Sequence, residues 1–123
     1  MKRAKLQDMS VSELVEWFVA IALEQDKALL MNEIAKVNRL FDRLEAVEAE
    51  LKARDNDQRR ALLRLYDHSN AQVQLKAAKA TLAVASLEAR SKLKAIADSH
   101  EQPQAGEAGM SLWNLERGIF KPT

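Results

Sequence analysis

Every glycine and proline of this chain lies at or after Pro103: Pro103, Gly106, Gly109, Gly118 and Pro122. Residues 1–102 therefore lack the two residues that most readily interrupt a helix. In a helix interior Gly costs about 1 kcal/mol and Pro about 3 kcal/mol relative to Ala. Long helices can run there unchecked, and the fold class expected is all-α. The chain has 123 residues, the length of one domain, enough to bury roughly two-thirds of the surface its unfolded form exposes. We therefore expect residues 1–123 to form one domain, with 101–123 as a C-terminal loop and capping segment.

There is no cysteine, which removes disulfides, thiolate nucleophiles and Cys-ligated zinc and fits a reducing cytoplasm. Met1-Lys2-Arg3-Ala4-Lys5 has the basic character of a leader start, but Gln7, Asp8 and Ser10 follow in place of an apolar stretch. The most apolar window, Val11 to Leu30, carries Glu13, Glu16, Glu24, Asp26 and Lys27, too many charges for a membrane span. A cytoplasmic protein with no membrane contact is expected. Charge is unevenly spread: −2 over residues 1–52, +5 over 53–94 and −2 over 95–123.

Ser10-Val11-Ser12-Glu13 has the spacing of a capping box and opens the first helix, with Val11, Leu14, Val15, Phe18, Ile21 and Ala22 on its apolar face. Trp17 and Val19 widen that face. The pattern weakens at Gln25-Asp26-Lys27, placing a break between 25 and 33. A second helix is expected over about 32–54. Leu30, Ile34, Val37, Phe41, Leu44 and Leu51 form a near-heptad seam along it, broken at Glu48, with Leu40 and Val47 to one side. A long helix in a globular α-domain is the main reading of this seam, and homodimerisation through it a minor one.

Asp55-Asn56-Asp57 is a turn-and-cap cluster, with Asp55 and Asp57 both suited to start a short third helix reaching about Tyr66. Asp67-His68-Ser69-Asn70 is a polar turn in which Asn70 caps a fourth helix, Ala71 to about Ala85. A fifth helix, about 86–99, is expected to be capped by Ser86 and to bury Leu87, Leu93 and Ile96. Glu101 to Gly109 reads as a loop. One or two final turns around Leu112-Trp113-Asn114-Leu115 end at Gly118, and Trp113 and Phe120 are expected to pack back as a cap.

The segment from Leu62-Leu63-Arg64-Leu65-Tyr66-Asp67 through Val73-Gln74 to Ala77-Ala78-Lys79-Ala80 resembles a HEAT repeat: a Leu-rich helix, a polar turn opening with Asp, then Val and an Ala-rich stretch. It departs from that pattern at Gln74, where many such repeats carry Arg. Taken whole, from Ser12-Glu13-Leu14-Val15 to Ala108-Gly109-Met110-Ser111-Leu112-Trp113 and Ile119-Phe120-Lys121-Pro122, the chain is similar to a small bacterial domain-of-unknown-function family. The resemblance implies a short HEAT-like α–α superhelix of about five to six helices, with one regular hairpin at about 57–84. It implies no activity.

The chemistry-bearing residues form no recognisable centre. Asp67-His68-Ser69 contains the letters of a catalytic triad, but three consecutive residues cannot place their side chains in a hydrogen-bonded relay. The positions three before His68 and His100 are Leu65 and Ala97, so the Glu-x-x-His spacing of a di-iron bundle is missing. Arg59 occupies a calcium-ligand position after Asp55 and Asp57, and no Gly-rich phosphate loop exists. We expect no enzyme, no cofactor and no metal site.

The function expected is a non-catalytic protein–protein interaction or scaffolding module. Its contact residues are Gln72, Lys76 and Lys79, which step by 4 and 3 opposite the Val73-Ala77-Ala80 stripe and should share an outward face. The alternative is nucleic-acid binding through the basic middle: Arg59, Arg60, Arg64, Arg90, Lys92 and Lys94, joined by Lys76 and Lys79.

Overall fold

The computed structural model describes residues 5–123, so the basic start Met1 to Ala4 lies outside the described residues. All secondary structure among the described residues is helical, and the all-α expectation holds. The chain divides into two compact units, Met1–Ala61 and Leu62–Thr123.

In the first unit a 3-10 turn, Leu6–Asp8, leads into α1 (Val11–Leu30), which packs lengthwise on α2 (Ile34–Ala53). The capping box at the head of α1 forms in full. Glu13 N–H donates to Ser10 Oγ at 3.0 Å, and Ser10 N–H donates to Glu13 Oε1 at 2.9 Å. The Ser10 backbone N–H, aided by the Ser10 hydroxyl, stabilises the charged carboxylate and holds Glu13 below the usual range.

The break expected between 25 and 33 falls at its far end. Asn32 takes a left-handed φ of 56°, and its N–H bonds Leu29 O while Glu33 N–H bonds Ala28 O at 2.9 Å. That is a Schellman ending with Asn where Gly is commoner. The turn reverses the chain, and Leu14, Phe18, Ile21 and Ala22 of α1 are buried along with Leu40, Leu44, Val47 and Leu51 of α2. The buried stripe on α2 steps by 4, 3 and 4. It corrects the expected seam, whose first half is exposed: Leu30 at 78%, Ile34 at 57% and Phe41 at 42%. Arg54 ties the N-terminal turn to the end of α2. Its Nη2 donates to Leu6 O at 3.1 Å and Met9 O at 2.7 Å, and its Nε to Glu50 Oε2 at 2.7 Å.

The expected third α-helix is a 3-10 helix, Gln58–Asp67. Its buried residues Arg59, Leu62 and Leu65 recur every third position, the repeat at which side chains eclipse in that geometry. Asp57, with φ 48°, receives the Arg59 guanidinium at 2.6 and 2.9 Å. These bonds hold the Asp57 carboxyl below its ordinary value.

The second unit contains α3 (Ala71–Ala80), α4 (Ser86–Asp98) and α5 (Gln104–Glu116). Its core joins Leu75, Ala78 and Leu82 to Ala89, Leu93 and Ile96 of α4 and to Ala108 and Leu115 of α5. Asn70 caps α3 as expected, its Oδ1 accepting from Gln72 N–H at 2.9 Å and Val73 N–H at 3.1 Å. Four sequence expectations are corrected in this unit.

First, α3 stops at Ala80 and does not reach Ala85. The Thr81 hydroxyl bonds back to Ala77 O at 2.9 Å and Ala78 O at 3.2 Å, and the chain turns through 81–84. Second, Ser86 does not cap α4. Ala85 holds the cap position with no side-chain bond, and Ser86 Oγ accepts from Arg90 Nε at 3.2 Å. Third, Leu87 is 82% exposed, because the buried stripe of α4 is Ala89, Leu93 and Ile96 and Leu87 lies about 200° from Ala89.

The fourth correction is the largest. The loop expected over 101–109 is mostly helix, since α5 begins at Gln104, directly after Pro103 and a cis Gln102–Pro103 bond. Pro suits a helix start, where no N–H partner is lost. Ala105 and Ala108 are buried, and docking this small-residue face outweighs the propensity cost of Gly106 and Gly109. The end of α5 agrees with the expectation. Gly118 has φ 69°, and Gly118 N–H bonds Leu115 O while Ile119 N–H bonds Asn114 O.

Candidate functional site

The three residues offered as outward contacts are turned toward α5 and largely covered. Gln72 is 2% exposed and receives Gln104 Nε2, itself on a residue 4% exposed, at 2.9 Å. The Lys76 side chain is 9% exposed, and its Nζ donates to Glu107 Oε2 at 3.0 Å. Lys79 Nζ reaches the same oxygen at 2.8 Å. The expectation of a shared outward face is thereby corrected.

Positions 72, 76 and 79 do share one face of α3, as their spacing predicts. That face meets 104 and 107 on α5, with the early residues of the two helices paired together and the later ones together. The two helices therefore run in the same direction. Burial pushes the Glu107 carboxyl up, but the two ammonium groups outweigh it and leave the group below its ordinary value. A carboxylate held charged by two cations is a weak base, so this cluster braces α3 against α5 and is not built to move protons.

The residues of the basic alternative are in varied settings. Arg59 is buried and bound to Asp57. Lys94 pairs with Asp98 at 2.9 Å, and Arg90 bonds Ser86. On α4, Arg90 and Lys94 are one turn apart on the same side, while Lys92 lies about 160° to 200° from both. Arg60 and Arg64 are exposed. Cations already held by carboxylates release few counterions on meeting phosphate, so the charge available to a nucleic acid is smaller than the sequence count.

His68 and His100 both sit in turns. Asn70 N–H donates to His68 Nδ1 at 3.0 Å, which leaves Nε2 to carry the proton of the neutral ring. Gln74 donates its side-chain amide to His68 O and so closes its own turn. His100, after the end of α4, has φ 64°. Among the described residues no group of three or more His, Asp and Glu could hold a metal ion, and no helix is long and apolar enough to cross a membrane.

The surface that the sequence reading missed is the outer face of α5 and the segment after it. Trp113 and Phe120 do not pack away as a cap. Trp113 is 46% exposed and Phe120 50%, and Met110 and Ile119 are exposed as well. Met110, Trp113 and Arg117 fall at i, i+3 and i+7, one side of the helix, and the Arg117 guanidinium lies 4.6 Å from the Trp113 ring centroid. Bonds from Ile119 and Phe120 N–H to Asn114 O fold the tail back onto the last turn of α5. The i, i+3, i+7 spacing was visible in the sequence. Reading 101–109 as a loop hid its helical phase.

A crystal structure of the protein RPA1889 from Rhodopseudomonas palustris CGA009 is similar throughout, with 50% sequence identity and a TM-score of 0.94 over 98% of this chain and 100% of that one. No curated protein matches the chain. The chain belongs to the family described as "Domain of unknown function (DUF2019)", which matches residues 12–116.

Proposed function

We propose that this family member is a non-catalytic, cytoplasmic protein-interaction module, HEAT-like in its second unit, whose contact surface is the aromatic end of α5. The observation that carries the reading is the exposed group Met110, Trp113, Ile119 and Phe120 beside Arg117. Trp, Phe, Met and Arg are the residue types enriched at interface centres, and large apolar side chains gathered on one side of a helix mark contact sites more often than scattered ones do.

Support for the HEAT-like part comes from the α3–α5 pairing. Stacked helical repeats set equivalent helices side by side in the same direction, and polar side chains ladder between them. Gln72, Lys76 and Lys79 bonding Gln104 and Glu107 is a ladder of this kind. It supplies the cross-repeat bonds that the missing Arg at 74 would otherwise make, while Gln74 serves its own turn.

The test is co-purification from the native host with the unmodified chain and with Trp113→Ala/Phe120→Ala. A partner protein recovered by the first and lost by the second, with the helical content of both unchanged, is the expected result. Recovery of the same partner by both would move the contact surface elsewhere. Salt-sensitive binding to random duplex DNA with no protein partner would replace the reading by the nucleic-acid alternative.

A further inference from the structure

We propose that the groove between α1 and α2 in the first unit binds an acidic peptide segment of a partner protein. Trp17, Ala20 and Glu24 line it from α1, and Lys36, Arg39 and Arg43 from α2, around a volume of about 220 Å³. Both sets step by 3 or 4 residues, so each is one edge of its helix. Lys36 Nζ lies 3.4 Å from Glu24 Oε2, which fixes the register of the antiparallel pair. Seven residues along each helix, about 10 Å, bring Arg43 level with Trp17.

The charge in this groove is not balanced at home. Glu24 is engaged by Lys36, whereas neither Arg39 nor Arg43 has an ion pair or hydrogen bond among the described residues. Two guanidiniums therefore face the solvent over the groove with their donors unfilled. Each presents the planar fork that matches a carboxylate in a bidentate pair. Their four-residue separation, about 6 Å along α2, suits carboxylates one turn apart on a helix or two residues apart on an extended strand.

The half-buried Trp17 indole adds an apolar floor for a side chain lying between those carboxylates. Size narrows the class. The volume falls below the roughly 300–1,000 Å³ of sites that enclose a small molecule. It takes two or three side chains of a passing segment and does not enclose a nucleotide. Glu24 in the wall also opposes a continuous run of phosphates.

The site lies in a different unit from Trp113 and does not depend on the reading of α5. Its probe is a dye-labelled synthetic peptide of glutamates interleaved with leucine and phenylalanine, followed by fluorescence anisotropy on the full chain. The expected result is binding that weakens with added salt and vanishes when the glutamates become glutamines. Arg39→Glu/Arg43→Glu should weaken it by roughly tenfold or more, with an unchanged melting temperature because both side chains are exposed. Arg60→Glu and Trp113→Ala, outside the groove, should leave it within about twofold. The proposal is overturned by no binding at millimolar peptide, by equal loss with Arg60→Glu, or by an oligonucleotide of equal charge binding as tightly.

Discussion

Glu107 accepts from Lys76 and Lys79 through one oxygen, Oε2, at 3.0 and 2.8 Å, and so gathers two cations of α3 onto a single carboxylate of α5. Removing one partner of a fully buried ion pair costs about 3–5 kcal/mol. The Glu107 side chain is 38% exposed, so solvent offsets part of that loss. Glu107→Gln is expected to destabilise the chain by about 1–2 kcal/mol, read from urea unfolding followed by circular dichroism. Lys79→Met, at the more exposed end of the cluster, should cost less than about 1 kcal/mol.

The same carboxylate gives stability a dependence on pH. Its folded pKa lies below the ordinary value of 4.5, so the folded state holds the charged form more firmly than the unfolded state does. The contribution is complete above the unfolded value and is lost as pH falls through the folded one. The stability difference between the unmodified chain and Glu107→Gln should be flat above about pH 5 and shrink below it. A gap that grew on acidification would contradict the cluster as described.

Tyr66 and Thr81 share a part-buried hydrogen bond that a double-mutant cycle can weigh. The two hydroxyl oxygens lie 2.5 Å apart, and either can donate to the other, while Thr81 Oγ1 also lies within bonding distance of the Ala77 and Ala78 carbonyls. Burial pushes the Tyr66 phenol up, partly opposed by this bond. Thr81→Val leaves the Tyr66 hydroxyl without this partner and should cost about 1–2 kcal/mol. Adding Tyr66→Phe should recover part of the loss, since replacing both partners is milder than orphaning one.

Gly109 lies within α5, and a Cβ built there meets nothing within 4 Å. Gly109→Ala should therefore stabilise the second unit by about 0.5–1 kcal/mol. At Gly106 a Cβ would come within 3.0 Å of Gln102 Oε1, which itself accepts from Gly106 N–H. Gly106→Ala should gain less than Gly109→Ala. Thermal melts of the two variants side by side decide it.

What could be read in the sequence was mostly local. The Ser10–Glu13 box, the Asn70 cap and the stop at Gly118 depend on residues within one turn of each other, and all three formed. The face of α3 carrying Gln72, Lys76 and Lys79 was also legible as a face. Whether it met water or α5 was not, because that needs the position of a helix two elements further along the chain. The helix itself was concealed by Gly106 and Gly109, whose low propensity is overcome only by burying Ala105 and Ala108. Arg59, Leu62 and Leu65 already showed the three-residue repeat of a 3-10 helix. Leu63 beside them lent the segment an α-like apolar face and masked it.

The makeup of α5 has a consequence for whatever recognises its outer side. At 13 residues with two glycines, it falls near or below the roughly 12–15 residues at which even a favourable sequence is marginally helical alone. It exists as a helix because Gln72, Lys76 and Lys79 hold it and the Leu75–Leu93 core receives it. The alignment of Met110, Trp113 and Arg117 disappears whenever that docking is lost. A molecule that grips this side is in effect an inspector of assembly, engaging only chains whose second unit is complete.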